Sequence, residues 1–190
     1  EAIEAGVGVF HGLLETHPRF DHRHRLEHVQ MASDAMFRRM KSLGICVNLF
    51  ANHVYFWGDT HRHDTMGPAK ARHLDAVGTA VRMGIPHSIH SDAPVTPLAP
   101  LFTMWCAVNR ITSSGHVLGE AERISAIDAL RAVTIGSAYL LNCDEEYGSI
   151  EVGKFADFTV LSADPCDVDP MEIKDIQVIA TVLSGTVQMN

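Results

Sequence analysis

Between Glu1 and about residue 142, helical-period runs alternate with short apolar runs, which restricts the chain to folds built from βα units. Ile3, Val7, Phe10, Leu13 and Leu14 recur at helical spacing over residues 1–17, and Pro18 ends that run. Ser33 opens a second helix over 33–43, with Met36, Phe37, Met40 and Leu43 on one face and Gly44 at its end. Further helical patterns cover about 75–83, 101–110, 125–133 and 135–141, and Ser125 with Asp128 resembles a capping box. Between them lie apolar runs at 25–30, 45–50, near 71–74 and at 86–90, each read as a strand. Residues 55–67 read as a long polar loop. In a parallel sheet wound this way, the carboxyl ends of the strands share one rim, and ligands bind there.

After residue 142 the pattern changes. Gly148 and Gly153 flank a short strand expected over 147–154, and a further strand is expected over 155–161. A last pair over 178–187 turns at Ser184-Gly185. No helical period accompanies these strands, so residues 143–190 read as a small β layer beside the βα part, residues 1–142.

A formal net charge of -8 with no Lys/Arg run argues against a nucleic-acid or anionic-membrane surface. No apolar run approaches the roughly 18 residues of a membrane span. Cys46, Cys106, Cys143 and Cys166 are scattered without a CxxC pair, which predicts reduced thiols and a cytoplasmic protein. Twelve histidines in 190 residues favour metal or acid–base chemistry.

His28, His53 and Asp92 each sit at the carboxyl end of an expected strand. Two neutral imidazoles and a carboxylate suit a divalent ion such as zinc. The competing reading makes Asp92 a turn cap beside Pro94 and the histidines packed core residues. Tyr55, Trp57, His61 and His90 are candidate substrate contacts. His90 is the weaker one, since alternation along the strand sends neighbours to opposite sides. His63 and His73 lie near the same rim, while His11, His17, His22 and His24 read as solvated. Cys46 reads as core, and Arg110 as a structural partner for a carboxylate.

Three stretches, Arg25-Leu26-Glu27-His28-Val29-Gln30, Asn52-His53-Val54-Tyr55-Phe56-Trp57-Gly58-Asp59 and His90-Ser91-Asp92-Ala93-Pro94-Val95, resemble late motifs of the amidohydrolase superfamily. The similar branch is the amidohydrolase-3, or YtcJ-like, group that includes N-substituted formamide deformylases. Ala107-Val108-Asn109-Arg110 and the stretch from Gly148 to Asp157 extend the resemblance over nearly the whole chain. It implies an α/β fold: the C-terminal half of a TIM-like (β/α)8 metal-dependent hydrolase barrel (1–142), then strands of a small β-sandwich domain (143–190). It also implies hydrolysis of a C–N bond in a small-molecule amide, formamide or cyclic amide by a metal-activated water. Zinc, as one or two ions, is the implied cofactor. By resemblance His28 follows the fifth barrel strand and His53 the sixth, both as metal ligands. Asp92 follows the eighth, as metal ligand and catalytic proton carrier.

The family's His-x-His after the first strand and its bridging ligand after the fourth have no counterpart, because His61-Arg62-His63 falls after the sixth. The expectation is therefore that the first four strands precede Glu1 and that this chain needs the N-terminal half of the barrel to complete the site. Alone, its sheet edges and apolar interior predict aggregation or homo-oligomers. Two alternatives stand beside this reading. One is a truncated, non-catalytic remnant that binds metal or a partner chain. The other is a same-fold isomerase or deacetylase.

Overall fold

The structure, a computed structural model, describes residues 1–189. Helix α1 (Ala2–Thr16) stops two residues before Pro18 and buries Val7. Strand β1 (Arg25–His28) follows, then helix α2 (Asp34–Ser42). The Ser33 side chain caps α2 by accepting the Met36 N–H at 3.4 Å. Asp34 in the first turn and Arg39 and Lys41 in the last complement the helix dipole, and Phe37 and Met40 enter the core. Strand β2 (Cys46–Leu49) leads into helix α3 (Asn52–Thr60), which continues as a π-helical turn, His61–Thr65. Helices α4 (Pro68–Ala71) and α5 (Val77–Met83) precede strand β3 (His87–Ile89), and Gly84 ends α5 in the left-handed region at φ 61°. Helices α6 (Pro100–Asn109), α7 (Ala126–Val133) and α8 (Ile135–Leu140) complete this part. Ser125 caps α7, accepting from the Asp128 N–H at 3.2 Å and donating to its carboxylate at 2.6 Å.

Strands β1, β2 and β3 form one parallel sheet in that order, with His28 opposite Leu49 and Leu49 opposite Ile89. Ile45, Val47 and Leu49 are fully buried, as apolar strands covered on both faces require. Two expectations fail around this sheet. The strand near 71–74 is absent: Pro68 starts a short helix there, and the Leu74 and Asp75 carbonyls go to the Arg110 guanidinium instead of a ladder. The strands before His28, His53 and Asp92 are therefore immediate neighbours. Among the described residues, no strand lies between those before His53 and Asp92, where the expected sixth and eighth places would require one. The expected loop at 55–67 is helical because Tyr55 packs against Phe102 (5.2 Å between ring centroids) and Trp105 (5.9 Å) on α6. Its charged residues had masked that apolar face.

Strands β4 (Phe158–Leu161), β5 (Val178–Leu183) and β6 (Thr186–Met189) form an antiparallel meander. Ser184 and Gly185 both have positive φ (48° and 78°), the geometry of a tight hairpin turn. The strand expected over 147–154 is a run of turns, held by Lys154 Nζ donating to Ser149 Oγ at 2.6 Å. A 3-10 segment, Pro170–Asp175, docks the β part onto α6. Trp105 Nε1 donates to the Met171 carbonyl at 3.1 Å, Asn109 Nδ2 to that of Pro170 at 2.8 Å, and Ile173 is fully buried. The meander leaves Val160, Ile179, Leu183, Val187 and Met189 exposed. Among the described residues, no helix is long and apolar enough to cross a membrane.

Gly119 is one position where only glycine fits. Its φ is +71°, and a Cβ there would clash with the Arg72 carbonyl. Gly119→Ala is expected to cost roughly 2–5 kcal/mol from left-handed strain plus overpacking. Urea denaturation measures this, and a loss below 1 kcal/mol would contradict the packing described.

Candidate metal centre

β1 ends at His28 in the left-handed region (φ 62°), and Val29 shares that conformation (φ 51°). Beyond β3, Asp92 does the same (φ 54°). A non-glycine residue held there costs free energy, and such positions concentrate at functional sites. This backbone turns side chains from the ends of β1 and β3, the strands flanking β2, towards one point. His28, His90 and Asp92 each place a ligand atom there, all within 4.8 Å of one another. His28 and His90 rings lie 5.0 Å apart.

The three residues differ in what they can do. His90 Nδ1 accepts the Asp92 backbone N–H at 3.0 Å, so a neutral His90 carries its proton on Nε2. That Nε2 is buried without a hydrogen-bond partner. Burial first, and His28 second, hold the His90 pKa below its ordinary value, so the ring is neutral at pH 7. His90 is thus an N–H donor aimed into the site and a poor ligand through Nε2. The His28 Nδ1 is also buried and unpartnered, and Asp92 supplies a carboxylate. An imidazole with a carboxylate fits a divalent cation with nitrogen and oxygen preference, zinc among them.

His53 does not join this group. It lies in the first turn of α3, and Phe50 stands between: the Phe50 ring stacks with His53 at 5.1 Å and with His90 at 5.2 Å. His53 Nδ1 faces the Asp75 carboxylate at 3.4 Å, and its Nε2 faces His61 Nε2 at 3.2 Å. Burial pushes the Asp75 carboxyl pKa up, against the pull of His53. Burial, then His53, lowers that of His61. Trp57 lies edge-on to His53 at 5.1 Å, beside the site. Tyr55 instead packs into the α3–α6 contact, away from these histidines. His22 is tied to the Leu43 carbonyl at 2.8 Å rather than left to solvent.

Sequence reasoning overlooked Asp75, assigned to a helix start, and Gln30, whose amide nitrogen lies 3.3 Å from His61 Nε2. It also overlooked a polar row across the three strands. Asn48 Nδ2 donates to Glu27 at 2.6 Å, and Ser88 Oγ donates to Asn48 at 2.7 Å. The detectable signal was a polar residue in each apolar run, one position before the last residue of β1, β2 and β3. A cavity of about 550 Å³ opens next to this rim, lined by Gln30, Met31, Ser33, Met66, Lys70 and His73 among others.

Comparison with known proteins agrees with this architecture. In the solved structure of an uncharacterized metal-dependent hydrolase from Pyrococcus horikoshii OT3, 89% of this chain superposes on 33% of that one, with a TM-score of 0.73 at 22% identity. A zinc-bound adenosine deaminase from Xanthomonas campestris gives 0.61 at 21% identity, over 87% of this chain and 36% of that one. The N-substituted formamide deformylase of Arthrobacter pascens is 33% identical over 164 residues, 86% of this chain and 30% of that protein. YtcJ of Bacillus subtilis (strain 168), an amidohydrolase by name, is 31% identical over 181 residues, 92% of this chain and 34% of that protein. The chain therefore spans about a third of the length of these curated relatives. The family model described as "Amidohydrolase family" matches residues 1–188, and with the formamide deformylase and YtcJ as relatives, the chain belongs to the YtcJ-like branch of the amidohydrolases.

Proposed function

We propose that this chain is part of a cytoplasmic, metal-dependent hydrolase of C–N bonds in small amides, formamides or cyclic amides. On this reading β1–β3 are the last three strands of a (β/α)8 barrel, and β4–β6 belong to its β-sandwich. One observation carries it: His28 and Asp92, both on left-handed backbone at nearby strand ends, converge with His90 within 4.8 Å. His28 and Asp92 would hold the ion, zinc by donor type, with further ligands from outside these 190 residues. When bound, the ion supplies Lewis-acid activation of a water and of the substrate carbonyl. The Asp92 carboxylate takes the water's proton and passes it to the departing nitrogen. His90, neutral and protonated at Nε2, donates a hydrogen bond where negative charge develops on the carbonyl oxygen. The cavity of about 550 Å³ falls in the range of small-molecule pockets, and its Met31 and Met66 suit an apolar substituent on the amide nitrogen. The exposed apolar residues of β5 and β6 fit a sandwich completed by residues not among these 190.

Full-length protein offered a panel of N-substituted formamides and cyclic amides is expected to release the amine or ring-opened product. Exhaustive chelation should remove at least 99% of that activity, and zinc should restore it. Hydrolysis that survives chelation unchanged would refute the metal-dependent reading. A metal-loaded protein inert to the whole panel would refute the substrate class.

A further inference from the structure

We propose that His53 and His61 form a second divalent-cation site, of the zinc type, separate from the His28–Asp92 pair. Their Nε2 atoms face each other at 3.2 Å. Two imidazole nitrogens on one tetrahedral zinc at 2.0–2.1 Å stand about 3.3 Å apart, so the rings already have ligand spacing. Each outer nitrogen has the partner a metal-bound histidine keeps. His53 Nδ1 faces the Asp75 carboxylate at 3.4 Å, and His61 Nδ1 meets Thr65 Oγ1 at 2.7 Å. With a proton on each Nδ1, both Nε2 lone pairs point into the same gap, an arrangement that a cation between them relieves.

Asp75 adds an independent reason. It is fully buried, and His53 Nδ1, at a long 3.4 Å, is the side-chain group that faces its carboxylate. A buried carboxylate so weakly compensated is unfavourable by itself, and a cation on the far side of that histidine offsets its charge. Gln30 offers a third ligand, because its amide turned end for end presents the carbonyl oxygen to the same gap. The helix supplies the reach. His53, Trp57 and His61 lie at i, i+4 and i+8 on one stripe, and the π-helical turn begins at His61. The nearby cavity, which Gln30 helps to line, gives an ion access. The rival arrangement of the same atoms is an N–H···N hydrogen bond between two neutral rings, which would hold no metal.

The test uses full-length protein stripped by chelation and reloaded with zinc or cobalt(II). Metal per chain and the visible d–d absorption of cobalt are compared in the wild type and in H61Q, D75N and D92N. H61Q is expected to hold one ion fewer than the wild type and to lose one tetrahedral cobalt signal. D75N should keep the ion with 10–100-fold weaker affinity. D92N should retain the His61-dependent ion whatever it loses elsewhere. Wild-type metal content and spectrum in H61Q would overturn the site. Metal lost in D92N but not in H61Q would likewise overturn it, while leaving the hydrolytic centre standing. His61 is only partly buried on a helical turn, so H61Q should fold, and H61N provides a second variant with the same expected readout.

Discussion

Asp92→Asn in the full-length protein is expected to lower turnover roughly 10²–10⁴-fold, the usual contribution of a positioned acid–base group. Asparagine is the informative replacement because it tolerates the left-handed backbone that Asp92 adopts at φ 54°. It also keeps the backbone N–H that His90 Nδ1 accepts, so His90 retains its tautomer. What changes is the capacity to take a proton, together with one anionic ligand. The measurement is kcat on a hydrolysed amide, with circular dichroism and a melting curve to show that the fold is kept. Activity within tenfold of the wild type in a folded variant would end the proton-carrier assignment.

Arg110→Met is expected to destabilise the chain by about 3–5 kcal/mol, the scale for removing one member of a buried charged network. Arg110 is 1% exposed and itself left-handed at φ 53°. Its guanidinium donates to the carbonyls of Leu118 at 2.7 Å, Asp75 at 3.0 Å and Leu74 at 2.6 Å. Burial pulls its pKa down to about 10, against the opposing charges of Asp75 and Glu122. Methionine fills much of the volume and donates nothing, so three buried carbonyls lose their partner. The loss should extend to the site, because the 74–75 turn presents Asp75 to His53. Urea denaturation of the variant gives the number, and a change under 1 kcal/mol would mean that other groups satisfy those carbonyls. Arg110→Lys restores the charge on a shorter reach and should recover only part of the loss.

The alternation of helix and strand was legible because local patterns set it: the Ser33 and Ser125 caps, Gly44 and Gly84 as stops, and the β-branched run before Phe50. His28 and Asp92 were legible as strand-end residues with metal-ligand chemistry. The features that escaped depend on contacts distant in sequence. Nothing near Leu74 announces that Arg110, 36 residues on, takes its carbonyl and so prevents a strand. Phe50 does not show locally that it will separate His53 from His90. His90 was expected to turn away from Asp92, but residues two apart share a side under alternation, and His90 lies beyond the strand in any case. β3 ends at Ile89, and the left-handed step at Asp92 brings both side chains to one spot.

The left-handed backbone at His28 and Asp92 sets two selection pressures against each other. Glycine adopts that conformation without the steric cost of a side chain, so relief of backbone strain at both positions favours losing the imidazole or the carboxylate. A library sorted for thermal resistance alone should drift towards glycine at 28 and 92. The same library sorted for turnover should hold histidine and aspartate there. Positions where the two screens diverge would mark the centre of chemistry without any knowledge of the substrate.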